Sequence, residues 1–284
     1  MIRRAAPADA AAIADFLSRH IATSMFLLGN LEAHGVGDTP HPHGTRFLLR
    51  LTDGDITGVF GWTNGGYAMP QWPAMTPPEA QECVAAMRGV HLRGITGPPD
   101  QVALMLGVLP VAPVGWATNR DDPLMVRALD DLPAATAHLR PAEAPDRALL
   151  EGWFAAYLRE TGTSGAAALR LAATARAQAA IGSDTIRLLI HEGRPVAMGA
   201  LNARAGDAVQ IGGVYVAPEH RGKGLAGQLV ISHLAELKAK GIRRAILFAA
   251  SSAAERAYAG IGFRRIGFFR VALLARPVSL GAAA

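Results

Sequence analysis

One cysteine, Cys83, stands in 284 residues. No internal disulfide is therefore possible, and the chain suits a reducing compartment. A buried thiol is its expected state, since nothing beside it in sequence marks a nucleophile. Charge is scarce as well, at 18% of residues, and basic residues gather only in pairs such as Arg3-Arg4 and Arg243-Arg244. A net charge of +5 spread so thinly argues against nucleic acid as a partner. Long apolar runs are missing too. The longest, 102–117, is broken by Pro110 and Pro113, too short for a membrane span. Met1-Ile2-Arg3-Arg4 opens the sequence without the apolar core of a secretory leader. A soluble, cytoplasmic protein is expected. Metal-ligand spacing is lacking: His34, His41 and His43 lie in a Gly/Pro-rich loop without cysteine or the acidic spacing typical of a site, the pattern of a surface loop.

Apolar residues, by contrast, make up half of the chain, enough for two cores. The sequence also repeats itself at an offset near 140. Arg3, Ala5, Asp9, Ala11, Ile13 and Phe16 line up with Arg140, Ala142, Asp146, Ala148, Leu150 and Trp153. Each set reads as a short strand leading into an amphipathic helix. Phe47-Leu48-Leu49 with Asp53-Gly54 parallels Arg187-Leu188-Leu189 with Glu192-Gly193, a strand, a tight turn and a returning strand in each case. Two copies of one fold are expected, at 1–130 and 139–284, joined by a Pro- and Ala-containing linker at 131–138. Trp62, Tyr67 and Trp72 read either as packing of the first core or as lining of a cleft between the halves.

The densest signal lies at 214–227, Val-Tyr-Val-Ala-Pro-Glu-His-Arg-Gly-Lys-Gly-Leu-Ala-Gly. It reads as a strand running through a glycine loop into a helix, which aims backbone N–H groups at one point and favours a phosphate there. Side chains at Gly222 and Gly224 would block that approach. Gly222-Lys223-Gly224-Leu225-Ala226-Gly227 formally fits G-x-G-x-x-G, which keeps a dinucleotide-binding oxidoreductase open. Such a site wants an acidic residue about 20 positions on, and the next strand ends Leu247-Phe248-Ala249-Ala250-Ser251 without one. No Gly-Lys-Ser/Thr step supports a P-loop.

Arg221-Gly222-Lys223-Gly224-Leu225-Ala226 resembles the R/Q-x-x-G-x-G/A signature of the GNAT superfamily of acyl-CoA-dependent N-acyltransferases. The Val-Tyr-Val-x-Pro-Glu before it and Tyr258-Ala259-Gly260-Ile261-Gly262-Phe263 after it are similar to that superfamily's motifs. The resemblance implies a mixed α/β (α+β) fold with two GNAT-like domains, each a mostly antiparallel mixed sheet flanked by helices. It implies acetyl-CoA or another acyl-CoA as cofactor, and direct attack by a primary amine in a ternary complex. The acceptor would be a small-molecule or peptide amine.

By that resemblance, backbone groups of Val214 and Val216 pair with the pantetheine arm, and an N–H near Val214 polarises the thioester carbonyl. Arg221, Gly222, Lys223, Gly224, Leu225, Ala226 and Gly227 hold the diphosphate, and Ser251 stands where the family has a cofactor-contacting asparagine. Tyr258 matches the tyrosine that protonates the departing thiolate. Some relatives carry a basic glutamate on the strand before the loop, where Gln210 stands here. Glu160 is the candidate base instead, with Trp153 and Tyr157 on the same helical face as acceptor-binding residues; core packing and a solvated charge are the alternative for these three. Extending the offset of 140 sets Gln81, Glu82 and Val84 against Arg221, Gly222 and Gly224, which implies a degenerate first copy. A non-catalytic acyl-CoA-binding protein is the other open reading.

Overall fold

The computed structural model describes residues 1–37, 39–109, 115–162 and 169–281. Pro110 and Pro113 lie outside the described residues. Among those described, no helix is long and apolar enough to cross a membrane. The same order of elements runs through the chain twice. The first pass is β1 (Ile2–Arg4), α1 (Ala10–Arg19), α2 (Ile21–His34), β2 (Thr45–Thr52), β3 (Asp55–Thr63), β4 (Tyr67–Gln71), α3 (Pro77–Ala86), β5 (His91–Gly97), α4 (Pro99–Val108) and β6 (Trp116–Ala128). The second is β7 (His138–Arg140), α5 (Arg147–Thr161), α6 (Leu169–Ala180), β8 (Ile186–His191), β9 (Arg194–Ala205), β10 (Ala208–Val216), α7 (Leu225–Ala239), β11 (Arg244–Phe248), α8 (Ser252–Ala259) and β12 (Arg264–Ser279).

The compact units do not coincide with the expected 1–130 and 139–284. One comprises Met1–Asp122 with Phe268–Ala284, the other Pro123–Gly267. In the first, the sheet runs β1-β2-β3-β4-β5 and the later part of β12 pairs antiparallel with β5. In the second it runs β7-β8-β9-β10-β11, and residues 124–128 of β6 pair antiparallel with β11. Each sheet is antiparallel except at one matching step, β4–β5 and β10–β11. A terminal strand joins whichever sheet offers an unpaired edge, a long-range choice that a repeat offset does not encode.

The repeat is also chemical. Arg3 grips Asp9 through two guanidinium nitrogens at 2.7 Å, and Asp9 accepts the Ala6 N–H at 2.7 Å. Arg140 grips Asp146 likewise at 2.6 and 2.8 Å, and Asp146 accepts the Glu143 N–H at 2.8 Å. The arginine holds both carboxyls below the usual range, Asp9 down to about 2. A depressed carboxyl contributes stability above its unfolded value near 4, and loses it as pH falls through the folded one. Asp146→Asn is therefore expected to cost about 1–3 kcal/mol at pH 7 by chemical denaturation. That deficit should shrink as pH falls below about 4, and a constant deficit would show that the charge is not the cause. The paired hairpins turn as their sequences imply, with φ of 52° and 92° at Asp53-Gly54 and 49° and 75° at Glu192-Gly193.

In the first unit, Trp62 and Trp72 are core residues, and Tyr67 is exposed. Cys83 is fully buried, and desolvation pushes its thiol up to about 12. His34 stacks on His41 at 4.1 Å, with His43 next at 5.5 Å. No three His, Cys, Asp or Glu among the described residues are placed to hold a metal. Gln81, Glu82 and Val84 lie inside α3, not in a loop, so they are not the counterparts of Arg221, Gly222 and Gly224. The connection into α3 is simply shorter than the one into α7. What fills the α3 N-terminus is Glu79, which accepts from the Thr76 N–H at 2.8 Å and hydroxyl at 2.9 Å and pairs with Arg50. A carboxylate thus occupies the place an anionic ligand would take.

In the second unit, α7 lays Leu229, Val230, Leu234 and Leu237 on the sheet. Leu229 and Leu234 are fully buried, each contributing about 1.5–3 kcal/mol. Leu150, Trp153, Phe154 and Leu158 of α5 form a second cluster with Leu188, Met198 and Tyr215.

Candidate active site

The site is built around the point where β10 leaves β11. The two strands pair in parallel from Ala208↔Arg244 to Ile211↔Leu247, while β10 runs on to Val216. Two irregularities against β9 fall here, one between Gln210 and Ile211 and a bulge between Gly212 and Tyr215. Gly213 takes φ 58° there, and a Cβ on it would stand 3.1 Å from the Ala200 Cβ. The extra residue changes the side-chain alternation. Val209 and Ile211 belong to the cluster with Leu234, and Val214 and Val216, past the bulge, still face α7 beside Leu225 and Leu229. Tyr215 packs on the α5 cluster instead. Beyond Ile211 a gap opens, floored by backbone that has lost its β11 partner.

That gap leads to the start of α7. A single helical turn at Pro218–His220 is followed by Arg221 and then Gly222 and Gly224, both left-handed at φ 77° and 73°. Gly224 is the N-cap, no side chain caps the helix, and its first turn holds no acid among the described residues. The first N–H groups of an α-helix have no partner within the helix, and the dipole makes them attractive to an anion. Among the described residues, no heavy atom beyond the chain neighbours lies within 4 Å of a Cβ built on Gly222 or Gly224. The next helix of the unit behaves differently: α8 is capped by Ser251, whose Oγ accepts the Ala254 N–H at 3.1 Å. Ser251 therefore spends its oxygen on the helix. Gly227 serves close packing, its Cβ position being 3.0 Å from Ile261 Cγ2. Lys223 is exposed at the loop's tip, between the two glycines.

Arg221 and Glu160, separated by 61 residues, meet in one ion pair. The guanidinium donates to both Glu160 oxygens at 2.9 and 3.1 Å and to the Val216 carbonyl at 3.0 Å. It lies 5.3 Å from the centre of the Tyr215 ring. The bonds to Glu160 raise the pKa of Arg221 further. Both of its expected partners are thus already engaged: the base candidate has its lone pairs on a guanidinium, and the diphosphate candidate faces α5. Tyr215, which sequence reading passed over as part of a strand, is the platform beneath this pair.

Trp153, Tyr157 and Glu160 do share a face of α5, graded from core to surface. Trp153 is buried beside Tyr215, with ring centres 6.0 Å apart. Tyr157 is half-buried, and its hydroxyl accepts the Gly213 N–H at 3.3 Å. Tyr258, on α8, packs edge-on against Phe263 at 5.9 Å within the cluster of Val214 and Leu247. Burial, and secondarily the nearby Tyr157, pushes its phenol well above the usual range. Gln210 is buried, donating to the Ile211 carbonyl at 2.9 Å.

Residues 148–263 match a family model described as the acetyltransferase (GNAT) family. No curated protein matches the sequence. Among solved structures, a Drosophila protein is similar over 96% of this chain and 98% of its own, at 15% identity and a TM-score of 0.65. A GCN5-related N-acetyltransferase from Sphaerobacter thermophilus is 17% identical over 99% and 98%, with a TM-score of 0.53. An acetyltransferase from the GNAT family of Colwellia psychrerythraea is 14% identical over 96% and 99%, with a TM-score of 0.51. At these identities the likeness is one of fold, and it extends over both repeats.

Proposed function

We propose that the second unit, whose residues 148–263 match the acetyltransferase (GNAT) family model, transfers an acyl group from acyl-CoA to a primary amine. The observation that carries this reading is the join of two features: a strand gap opened by the Gly213 bulge, and an uncapped, glycine-led helix N-terminus at its end. One suits an extended thioester arm and the other a diphosphate.

When bound, acyl-CoA would supply the acyl group as a thioester, open to attack by an amine. Backbone N–H groups of 222–227 hold the diphosphate, with Lys223 adding charge. Val214 and Val216 line the gap, and the Gly213 N–H polarises the carbonyl. Tyr258 would supply the proton that the departing CoA sulfur needs. The apolar wall of Val214, Leu247 and Phe263 keeps that phenol protonated and ready. Glu160 takes the amine proton only when Arg221 releases it, for instance toward the diphosphate. Direct attack by the amine needs no protein nucleophile, and the one thiol is buried in the other unit.

Calorimetric titration with acetyl-CoA, CoA and NADH tests the reading, followed by thiol release across a panel of small-molecule and peptide amines. Acetyl-CoA and CoA should bind and NADH should not. Binding of NADH alone moves the protein to the dinucleotide class, and CoA binding without turnover on any amine makes it a binding protein.

A further inference from the structure

The Gly213 N–H belongs to the bulge that opens the gap, and Tyr157 holds it from α5. A carbonyl oxygen polarised by that N–H would need the same line of approach and about the same 3 Å separation. The Tyr157 hydroxyl therefore stands where the carbonyl would sit. An acyl chain running on from that carbon toward α5, the side from which Tyr157 reaches Gly213, is the case to consider. There it meets the Tyr157 ring, and behind it Trp153, Tyr215 and Ala200 close the space as one cluster.

We propose that Tyr157 sets the acyl-chain length this site accepts, its hydroxyl yielding the Gly213 N–H to the carbonyl and its ring forming the end wall of a pocket for acetyl and other short chains. This rests on the acyl-CoA reading of the second unit. The hydroxyl and the ring have separable consequences. Loss of the hydroxyl frees the N–H without lengthening the pocket, whereas loss of the ring lengthens it.

The test is calorimetric titration of wild type, Tyr157→Phe and Tyr157→Ala with CoA, acetyl-CoA, butyryl-CoA and hexanoyl-CoA. Wild type should bind acetyl-CoA at least about tenfold tighter than hexanoyl-CoA, which must displace packed side chains. Tyr157→Phe should keep that cut-off and raise the acetyl-CoA to CoA affinity ratio several-fold. Tyr157→Ala should reverse the ranking, with about a fourfold gain for each methylene newly buried. Tyr157→Leu, which keeps an apolar side chain on α5, provides the same comparison should the alanine variant lose CoA binding through misfolding. An unchanged ranking in either truncated variant, with CoA still bound, overturns the proposal while leaving the acyl-CoA reading standing. Failure of wild type to bind CoA itself overturns both, and CoA, having no acyl group, tells the two failures apart.

Discussion

Gly224→Val is expected to weaken binding of CoA and acetyl-CoA by at least about 100-fold while the protein still folds. The residue sits at φ 73°, where a β-branched side chain is strained by about 1–2 kcal/mol. Among the described residues, nothing beyond its chain neighbours lies within 4 Å of its Cβ position, so no clash there adds to that strain. The valine would instead stand over the uncapped α7 N-terminus, where the diphosphate must come closest to backbone. Strain and obstruction can be separated. Gly182 has nearly the same backbone, φ 72°, with open space around it, in an exposed turn after α6. Gly182→Val should lose similar thermal stability and keep CoA affinity within about threefold. Equal loss of binding in both variants would mean that strain rather than the cradle is responsible.

Tyr258→Phe should lower kcat by about 10²–10³-fold with KM for acetyl-CoA little changed. The ring remains to pack against Phe263, so only the proton donor is lost. The pH profile carries a second expectation. Burial raises this phenol, meaning that its neutral form persists to higher pH than the ordinary value near 10. The rate should rise with pH as the amine becomes neutral, and show no falling limb up to pH 10. A limb falling between pH 8 and 10 in wild type, absent from the residual activity of Tyr258→Phe, would show a phenol that ionises early. That outcome would remove the apolar pocket from the account.

Those two positions stand out in the sequence because the features that mark them are local. Left-handed glycines around a strand-to-helix turn announce themselves by composition, and Tyr258 by its place in a short motif. The repeat was legible for the same reason. Arg3 with Asp9 and Arg140 with Asp146 close their loops over six residues, and the two acidic-Gly hairpins need only neighbouring backbone. The extrapolated part of the repeat failed where segment lengths differ. Gln81, Glu82 and Val84 sit within α3 because the first copy enters that helix after fewer residues. Its lack of an anion cradle comes from Glu79 at the helix start, not from those three.

The sequence by itself determined the element order, the two gripped carboxylates, the hairpin turns and the glycine loop, since each follows from dihedral preference or contacts a few residues apart. Tertiary structure alone decided that Arg221 rests on Glu160 and Tyr215, and that Tyr157 takes the Gly213 N–H from 56 residues away. It also placed Phe268–Ala284 in the first unit. These depend on which surfaces and strand edges the folded sheets leave unpaired, and that is settled only when distant segments compete for the same hydrogen bonds and apolar cover.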